Sequence, residues 1–148
     1  MATVYGVNKT KYNTPIGENI VDSGVNKGQV CFMYDTYEAS ALAAASVIQM
    51  CDKLPKGSVL TRIVILTDNL TGTATIDVGD VADDDRYASA VDISGAALTT
   101  IIPETAAGAD IAVWPYEVGQ ATGDDQFALT VNTSAITGTI KVGLYYAV

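Results

Sequence analysis

One ten-residue stretch, SVLTRIVILT at residues 58–67, constrains the fold more than any other. Its apolar residues form a nearly continuous run rich in β-branched side chains, and the run is too short to cross a bilayer as a helix. Turn-forming sequences flank it, LPKG at residues 54–57 and DNLTG at residues 68–72. Proline and glycine in such turns supply the dihedral angles of a chain reversal. The stretch therefore predicts a central β-strand that is buried on both faces.

The remaining sequence is typical of shorter strands separated by turns, with no long helical pattern. The length of 148 residues suits one domain with a substantial core. The chain is therefore predicted to be all-β, a single-domain antiparallel β-sandwich that is jelly-roll-like and carries an extended N-terminal arm. The predicted strands besides the central one are residues 29–38, 46–51, 73–79, 86–92, 96–102, 110–118, 127–132 and 139–147.

Local patterns add detail to this prediction. Residues 73–79 alternate between apolar and polar side chains, which predicts a half-buried strand with Ala74, Ile76 and Val78 inward. The alanine-rich residues 39–45 are too few for an independent helix and predict a helical turn or a tight crossing. The last two strands are evenly spaced and predict a hairpin that closes the fold.

The first 28 residues differ from the rest of the chain. Glycines and a proline interrupt any helical pattern, and the large apolar side chains are too widely spaced for a strand face. We expect residues 1–28 to form an extended arm against its own sheet or a neighbouring subunit, followed by a β-sandwich domain at residues 29–148. The candidate interface residues in the arm are Tyr5, Tyr12, Ile16 and Ile20.

Composition excludes several classes of partner. Eight basic residues against 17 acidic ones give a net charge of −9, and the basic residues are scattered. Binding to nucleic acid or to an anionic membrane is therefore not expected. No secretory signal is recognisable, which predicts synthesis and release in the cytosol. Only 17% of residues are charged, and such a neutral surface favours assembly into a larger structure.

Catalytic motifs are missing from the sequence. The chain contains no histidine, which rules out Ser-His-Asp and Cys-His pairs and leaves only a carboxylate pair for acid–base chemistry. Glycine-rich nucleotide-binding motifs are also missing. The sequence therefore predicts no enzyme activity, no catalytic residue and no cofactor.

Metal and thiol chemistry receive little support. Asp80 and residues 83–85 form the densest acidic cluster, which could be a calcium loop, but the spacing lacks the D-x-D-x-D-G pattern. A solvated turn in which Asp85 and Arg86 partly neutralise each other is the favoured interpretation, and no metal site is predicted. Cys31 and Cys51 are expected to be buried, reduced and inert, with a disulfide as the alternative.

Aromatic residues near the end of the chain allow two interpretations. They could form a platform on which sugar rings stack, or they could lie in the core or in an interface, where aromatic rings supply large contact areas. We favour the second interpretation. The residues concerned are Trp114, Tyr116, Tyr145 and Tyr146.

Several blocks together resemble small virion proteins of tailed bacteriophages, the head decoration or cement proteins encoded near the major capsid protein. The blocks are MATVYGVNKTKYNTP at residues 1–15, LPKGSVLTRIVILTD at residues 54–68, VGD at residues 78–80, DRY at residues 85–87 and TGTIKVGLYYAV at residues 137–148. The resemblance covers nearly the whole chain in pattern and order.

This resemblance implies a trimeric β-sandwich that lacks an active site, binds the major capsid protein and braces the outer surface of the capsid. Assembly in the host cytoplasm would then place the protein on the virion. The alternative is a tail or fibre component with a receptor-binding or glycan-binding β-sandwich.

Overall fold

The structure, a computed structural model, describes residues 29–70, 73–80, 83–103, 116–117 and 126–148, with the backbone alone at 116–117. Nine strands occur in these ranges and no helix. They are β1 (Val30–Leu42), β2 (Val47–Gln49), β3 (Val59–Thr67), β4 (Thr75–Asp80), β5 (Ala88–Asp92), β6 (Ala97–Ile101), β7 (Tyr116–Glu117), β8 (Phe127–Val131) and β9 (Ile136–Ala147).

The strands form two antiparallel sheets. The first, five-stranded sheet has the order β1-β9-β3-β6, and the two-residue β7 pairs with the start of β3. The second, four-stranded sheet has the order β2-β8-β4-β5. The chain passes from one sheet to the other at most connections, except from β4 to β5 and from β6 to β7, and the two strand orders are those of a double Greek-key jelly roll. The predicted all-β, single-domain, jelly-roll-like sandwich is confirmed.

The core lies between the two sheets. Along residues 63–67 of β3 and 75–78 of β4 every second side chain lies in this core, as expected for two sheets packed face to face. The rings of Tyr87 and Phe127 stack inside the core with centroids 6.2 Å apart. The predicted inward residues Ala74, Ile76 and Val78 are all fully buried, which confirms the assignment for β4.

The central strand β3 differs from prediction in one respect. It lies between β9 and β6, as a central strand should, and Ile63 and Ile65 on one face are buried. On the other face Arg62 and Leu66 are exposed, so the prediction of burial on both faces is wrong for the described residues. An antiparallel sheet can bury one face and leave the other open, and β3 does so.

The end of β1, the start of β9 and the pairing of the last two long strands also differ from prediction. The alanine-rich segment extends β1 to Leu42 and then turns, with φ of 49° at Ala41 and 63° at Ala45. The predicted closing hairpin is wrong, because β8 pairs with β2 and β4 whereas β9 pairs with β1 and β3. Residues 132–135 carry the chain from one sheet to the other, and β9 begins three residues earlier than expected.

Some predicted features lie outside the described residues. These include the arm at residues 1–28, most of the strand expected at 110–118 and the turn at 119–125. The division into an arm and a sandwich domain remains a prediction. Within the described ranges no helix has the length and apolar character needed to cross a membrane.

Candidate interaction surface

The face of the five-stranded sheet that points away from the core is the candidate site. Strand pairing brings its side chains into register: Phe32 lies opposite Tyr145, and Val64 lies opposite Gly143. Leu66 lies between Lys141 on β9 and Leu98 on β6. We call this surface the outer face, formed by Val30, Phe32, Tyr34, Arg62, Val64, Leu66, Leu98, Lys141, Gly143 and Tyr145.

The outer face is apolar and exposed. Phe32 is 53% exposed and Tyr34 72% on β1, while Leu66 is 45% exposed and Leu98 68% on the neighbouring strands β3 and β6. A shallow groove runs across the sheet between the aromatic residues of β1 and the aliphatic residues of β3. Contiguous apolar surface of this kind marks an interaction site on soluble proteins, because exposure to water costs free energy.

Aromatic packing orders one side of the outer face. The ring of Phe32 lies 4.7 Å from that of Tyr145 and 6.3 Å from that of Tyr34, with the Phe32 and Tyr34 planes only 9° apart. Gly143 makes room for this arrangement, because a Cβ atom there would come within 2.9 Å of the Phe32 ring. The rings are therefore held against the sheet, and less side-chain entropy is lost when a partner covers them.

The charges in the middle of the outer face are positive. The guanidinium carbon of Arg62 lies 4.0 Å from the centroid of the Tyr145 ring, a cation–π contact. Lys141 is exposed beside Leu66. At the end of β1, Glu38 accepts a hydrogen bond of 2.7 Å from the Thr139 hydroxyl. The outer face thus presents cations on a chain of net charge −9, which favours an apolar partner that carries acidic groups.

The acidic loop is organised by an ion pair that differs from the predicted one. Arg86 Nε donates to the buried Asp80 carboxylate at 2.5 Å, and the Asp83 backbone N–H donates to the other Asp80 oxygen at 2.9 Å. Arg86 Nη2 also lies 3.9 Å from Asp83. The expected pairing of Asp85 with Arg86 is therefore wrong. The buried Asp80 carboxylate at the end of β4 thus binds both the Asp83 backbone and the Arg86 side chain, and it holds the loop against β4.

The other acids of the loop are exposed. Carboxylate oxygens of Asp83, Asp84 and Asp85 lie within 4.8 Å of one another. A hydrogen bond with Asp83 is the main cause of the raised pKa of Asp85, and desolvation and the nearby negative charges add to it. This is the behaviour of a crowded acidic turn, and clustering alone does not identify a cation site.

Both cysteines are free, and both are half-buried where complete burial was expected. Burial raises the pKa of the Cys51 thiol to about 11, and the charge of Asp35 adds to the shift. Asp35 Oδ2 also accepts a hydrogen bond of 2.9 Å from the Cys51 backbone N–H. The Cys51 thiol is therefore protonated at neutral pH, in the form that reacts poorly.

The aromatic residues identified in the sequence do not form one platform. Tyr145 lies on the outer face, whereas Tyr146 is turned toward the core and its pKa is raised by desolvation and then by Cys31. Trp114 and the Tyr116 side chain lie outside the described residues, as do the predicted interface residues Tyr5, Tyr12, Ile16 and Ile20.

Sequence analysis missed the residues that dominate the outer face. Phe32, Tyr34 and Leu98 were placed on strands but not on an exposed face. The alternation along residues 30–35 separates two sets of side chains without revealing which set meets the core. The signal that could have identified the surface is that both sets are apolar over residues 30–34, before Asp35.

Comparison with known proteins supports the fold. No protein-family model matches the chain, and no curated protein sequence matches it. Solved structures that contain a chain of similar fold include two phage capsids. A chain of the Cyanophage Pam1 capsid asymmetric unit aligns with a TM-score of 0.63 and 23% identity, covering 82% of this chain and 86% of that one. A chain of the capsid of Ralstonia phage GP4 aligns with a TM-score of 0.55 and 21% identity, covering 81% and 84%. At these identities the likeness establishes a shared β-sandwich fold.

Proposed function

We propose that this chain is a non-enzymatic structural protein of a phage virion, a decoration protein that binds the outer surface of the head and stabilises it. Its partner is the major capsid protein, and it acts as a homotrimer assembled in the host cytoplasm. The observation that carries the proposal is the exposed apolar outer face, on a fold shared with chains of two phage capsid structures.

The physical role follows from the outer face. Covering exposed apolar side chains on the shell gains roughly 25 cal/mol for each Å² removed from water. A single contact of this kind is weak, but a trimer that engages several capsid subunits adds its contacts with high effective concentration. Many copies would then resist the outward pressure of packaged DNA without any catalytic step.

The N-terminal arm is proposed to widen the contact. Tyr5, Tyr12, Ile16 and Ile20 give it apolar side chains at intervals, with glycines between them that let the backbone follow a neighbouring surface. An arm that lies along a neighbouring surface can cover a large area. We propose that these four residues contact the capsid beside the outer face.

Co-sedimentation with expanded capsids that lack the protein tests the proposal, alongside the solution mass by light scattering. Wild-type protein should bind saturably as a trimer. Leu98→Asp, which places a charge on the outer face, should weaken binding at least tenfold. Gln49→Asp on the exposed side of β2 is the matched control and should bind normally. Equal binding by all three proteins would remove the outer face from the proposal.

A tail or fibre component that binds a receptor or glycan is the second candidate. The observation that favours it is the exposed row of Tyr34, Phe32 and Tyr145 rings, on which a sugar could stack. A glycan array distinguishes the two candidates. Selective sugar binding that Tyr34→Ala abolishes, together with no capsid binding, would support this second function.

A further inference from the structure

Strand β1 has an open edge. Among the described residues it pairs only with β9, although at 13 residues it is the longest of the strands described. The Val148 N–H donates to the Gln29 carbonyl at 3.2 Å, which fixes the alternation of the ladder. The backbone N–H and C=O groups of residues 31, 33 and 35 therefore point toward β9, while those of Val30, Phe32 and Tyr34 point away from it. Consistent with this, the Thr36 N–H turns to the Asp35 side chain, at 2.7 Å.

This open edge lacks the features that normally prevent strand addition. Natural edge strands carry charges, prolines or bulges that block pairing. Residues 30–34, VCFMY, contain no charge and no proline, and the bulge of β1 lies beyond Ala39. The same residues place Val30, Phe32 and Tyr34 on the outer face. This end of β1 thus offers both hydrogen-bonding groups and apolar contacts to an additional strand.

The chain itself supplies a suitable strand. Residues 1–28 join β1 at Gln29, directly beside the open edge. Within them, residues 16–22 (IGENIVD) place Ile16, Glu18, Ile20 and Asp22 at alternate positions. Residues 23–29, SGVNKGQ, contain two glycines and an asparagine, which suit a chain reversal. A strand at residues 16–22 would therefore need only a short linker to reach the edge.

Charge favours the same pairing. Residues 16–22 carry two acids and no base, whereas the arm's lysines lie at positions 9, 11 and 27. The outer face presents Lys141 on β9, the strand beside β1, and Arg62 on β3, the next strand of the sheet. With Glu18 and Asp22 on that face, opposite charges lie on the same side of the sheet, which favours this orientation over the reverse one.

We propose that residues 16–22 add to the open edge of β1 of the same chain as an antiparallel strand, with Ile16 and Ile20 extending the outer face. The apolar side chains of the arm are too widely spaced to stabilise an independent strand, but the open edge of β1 supplies backbone hydrogen bonds to an added one. The seven-residue linker gives an effective concentration in the millimolar range, which favours the same chain over a neighbour. The inference concerns the free protein and holds whether or not it binds capsids.

The arrangement makes a specific prediction about backbone groups. Directly opposed residues have side chains on the same face, so the residues that bond to Phe32 and Tyr34 are those at even positions of the arm. Proline at position 20 therefore removes a hydrogen bond to β1. Proline at position 19 removes only an N–H that points away from it, which an edge strand tolerates.

Amide hydrogen exchange of the full-length protein tests the inference. In wild type and in Asn19→Pro, the Phe32 and Tyr34 amides should exchange at least about 100-fold more slowly than in an unfolded chain. In Ile20→Pro that protection should be lost, while Met33, bonded to β9, stays protected in all three proteins. Rapid exchange of Phe32 and Tyr34 in wild type would overturn the proposal, as would equal protection in both variants. Protection that disappears on dilution, with a matching fall in mass by light scattering, would replace it with pairing between two copies.

Discussion

Two adjacent residues of the central strand provide the sharpest test of the outer face. Ile65 is 1% exposed and points into the core, whereas Leu66 is 45% exposed and points outward. Alanine at each position removes a similar amount of apolar side chain from the same strand. The pair therefore separates the contribution of the core from that of the surface.

The expected magnitudes follow from these exposures. Truncating a fully buried isoleucine costs about 3 to 4 kcal/mol, which for a domain of this size lowers Tm by about 10 °C. Leu66→Ala should cost only about 1 kcal/mol, because little more than half of the side chain is buried within the chain. When a partner covers the exposed 45%, Leu66→Ala should weaken binding by about 1 kcal/mol at each site, or about three- to tenfold in Kd.

Urea unfolding at fixed protomer concentration measures the first effect, and capsid co-sedimentation measures the second. The two variants should rank in opposite order for stability and for capsid binding. Ile65→Ala should be the less stable protein, and folded Leu66→Ala should be the weaker binder. Equal destabilisation by both substitutions would show that the outer face is already covered within the chain and would refute the reasoning.

Three further predictions concern the rest of the molecule. Asp80→Asn should lower the free energy of unfolding, measured in urea, by about 2 to 4 kcal/mol, because it removes the buried carboxylate that pairs with the Arg86 charge. Asp84→Asn, at an exposed position of the same loop, should change it by less than about 0.5 kcal/mol. Gly79→Ala should cost at least about 2 kcal/mol in the same assay, because its Cβ would clash with backbone atoms of Asp83 and Asp84, whereas Gly95→Ala has open space. Cys51 should react slowly with iodoacetamide at pH 8 and faster as pH approaches its pKa of about 11.

The cysteine shift also determines how stability varies with pH. Cys51 in the unfolded chain loses its proton near its ordinary pKa of 9.0, whereas the folded protein keeps it up to about 11. Between these values the unfolded state binds fewer protons, so stability falls as pH rises. A Cys51→Ser variant should lack this part of the decline. If Cys51→Ser and the wild type lost stability equally between pH 9 and 11, the raised pKa of Cys51 would be contradicted. Rapid alkylation of the wild-type thiol at pH 8 would contradict it too.

Alternation in the sequence predicted the strands well but could not identify the outer face. Along β4 the apolar set is inward and the polar set outward, and the prediction is confirmed. Along β3, Val64 and Leu66 point outward yet are as apolar as the inward residues. Apolar side chains suit a strand face that binds a partner as well as one that packs against the core, so the sequence does not distinguish the two. The continuous apolar run therefore predicted burial that this chain alone does not provide.

Long-range arrangement accounts for the other differences. Neighbouring strands in sequence usually pair, which favoured a closing hairpin from β8 and β9, but the jelly-roll order places them in different sheets. The sequence predicted that Arg86 pairs with its neighbour Asp85, whereas in the structure it pairs with the buried Asp80 carboxylate. The strand order depends on how the chain returns to distant strands, whereas the ion pair depends on the turn that brings Arg86 back to Asp80, six residues earlier.

A cryo-EM reconstruction of expanded capsids decorated with the purified protein tests the central claim most directly. The account predicts density for the sandwich on the outside of the shell, with the β1-β9-β3-β6 sheet facing capsid protein and Leu66 and Leu98 in contact with it. A sandwich that presents the β2-β8-β4-β5 sheet to the shell, or undecorated capsids at saturating protein, would contradict it.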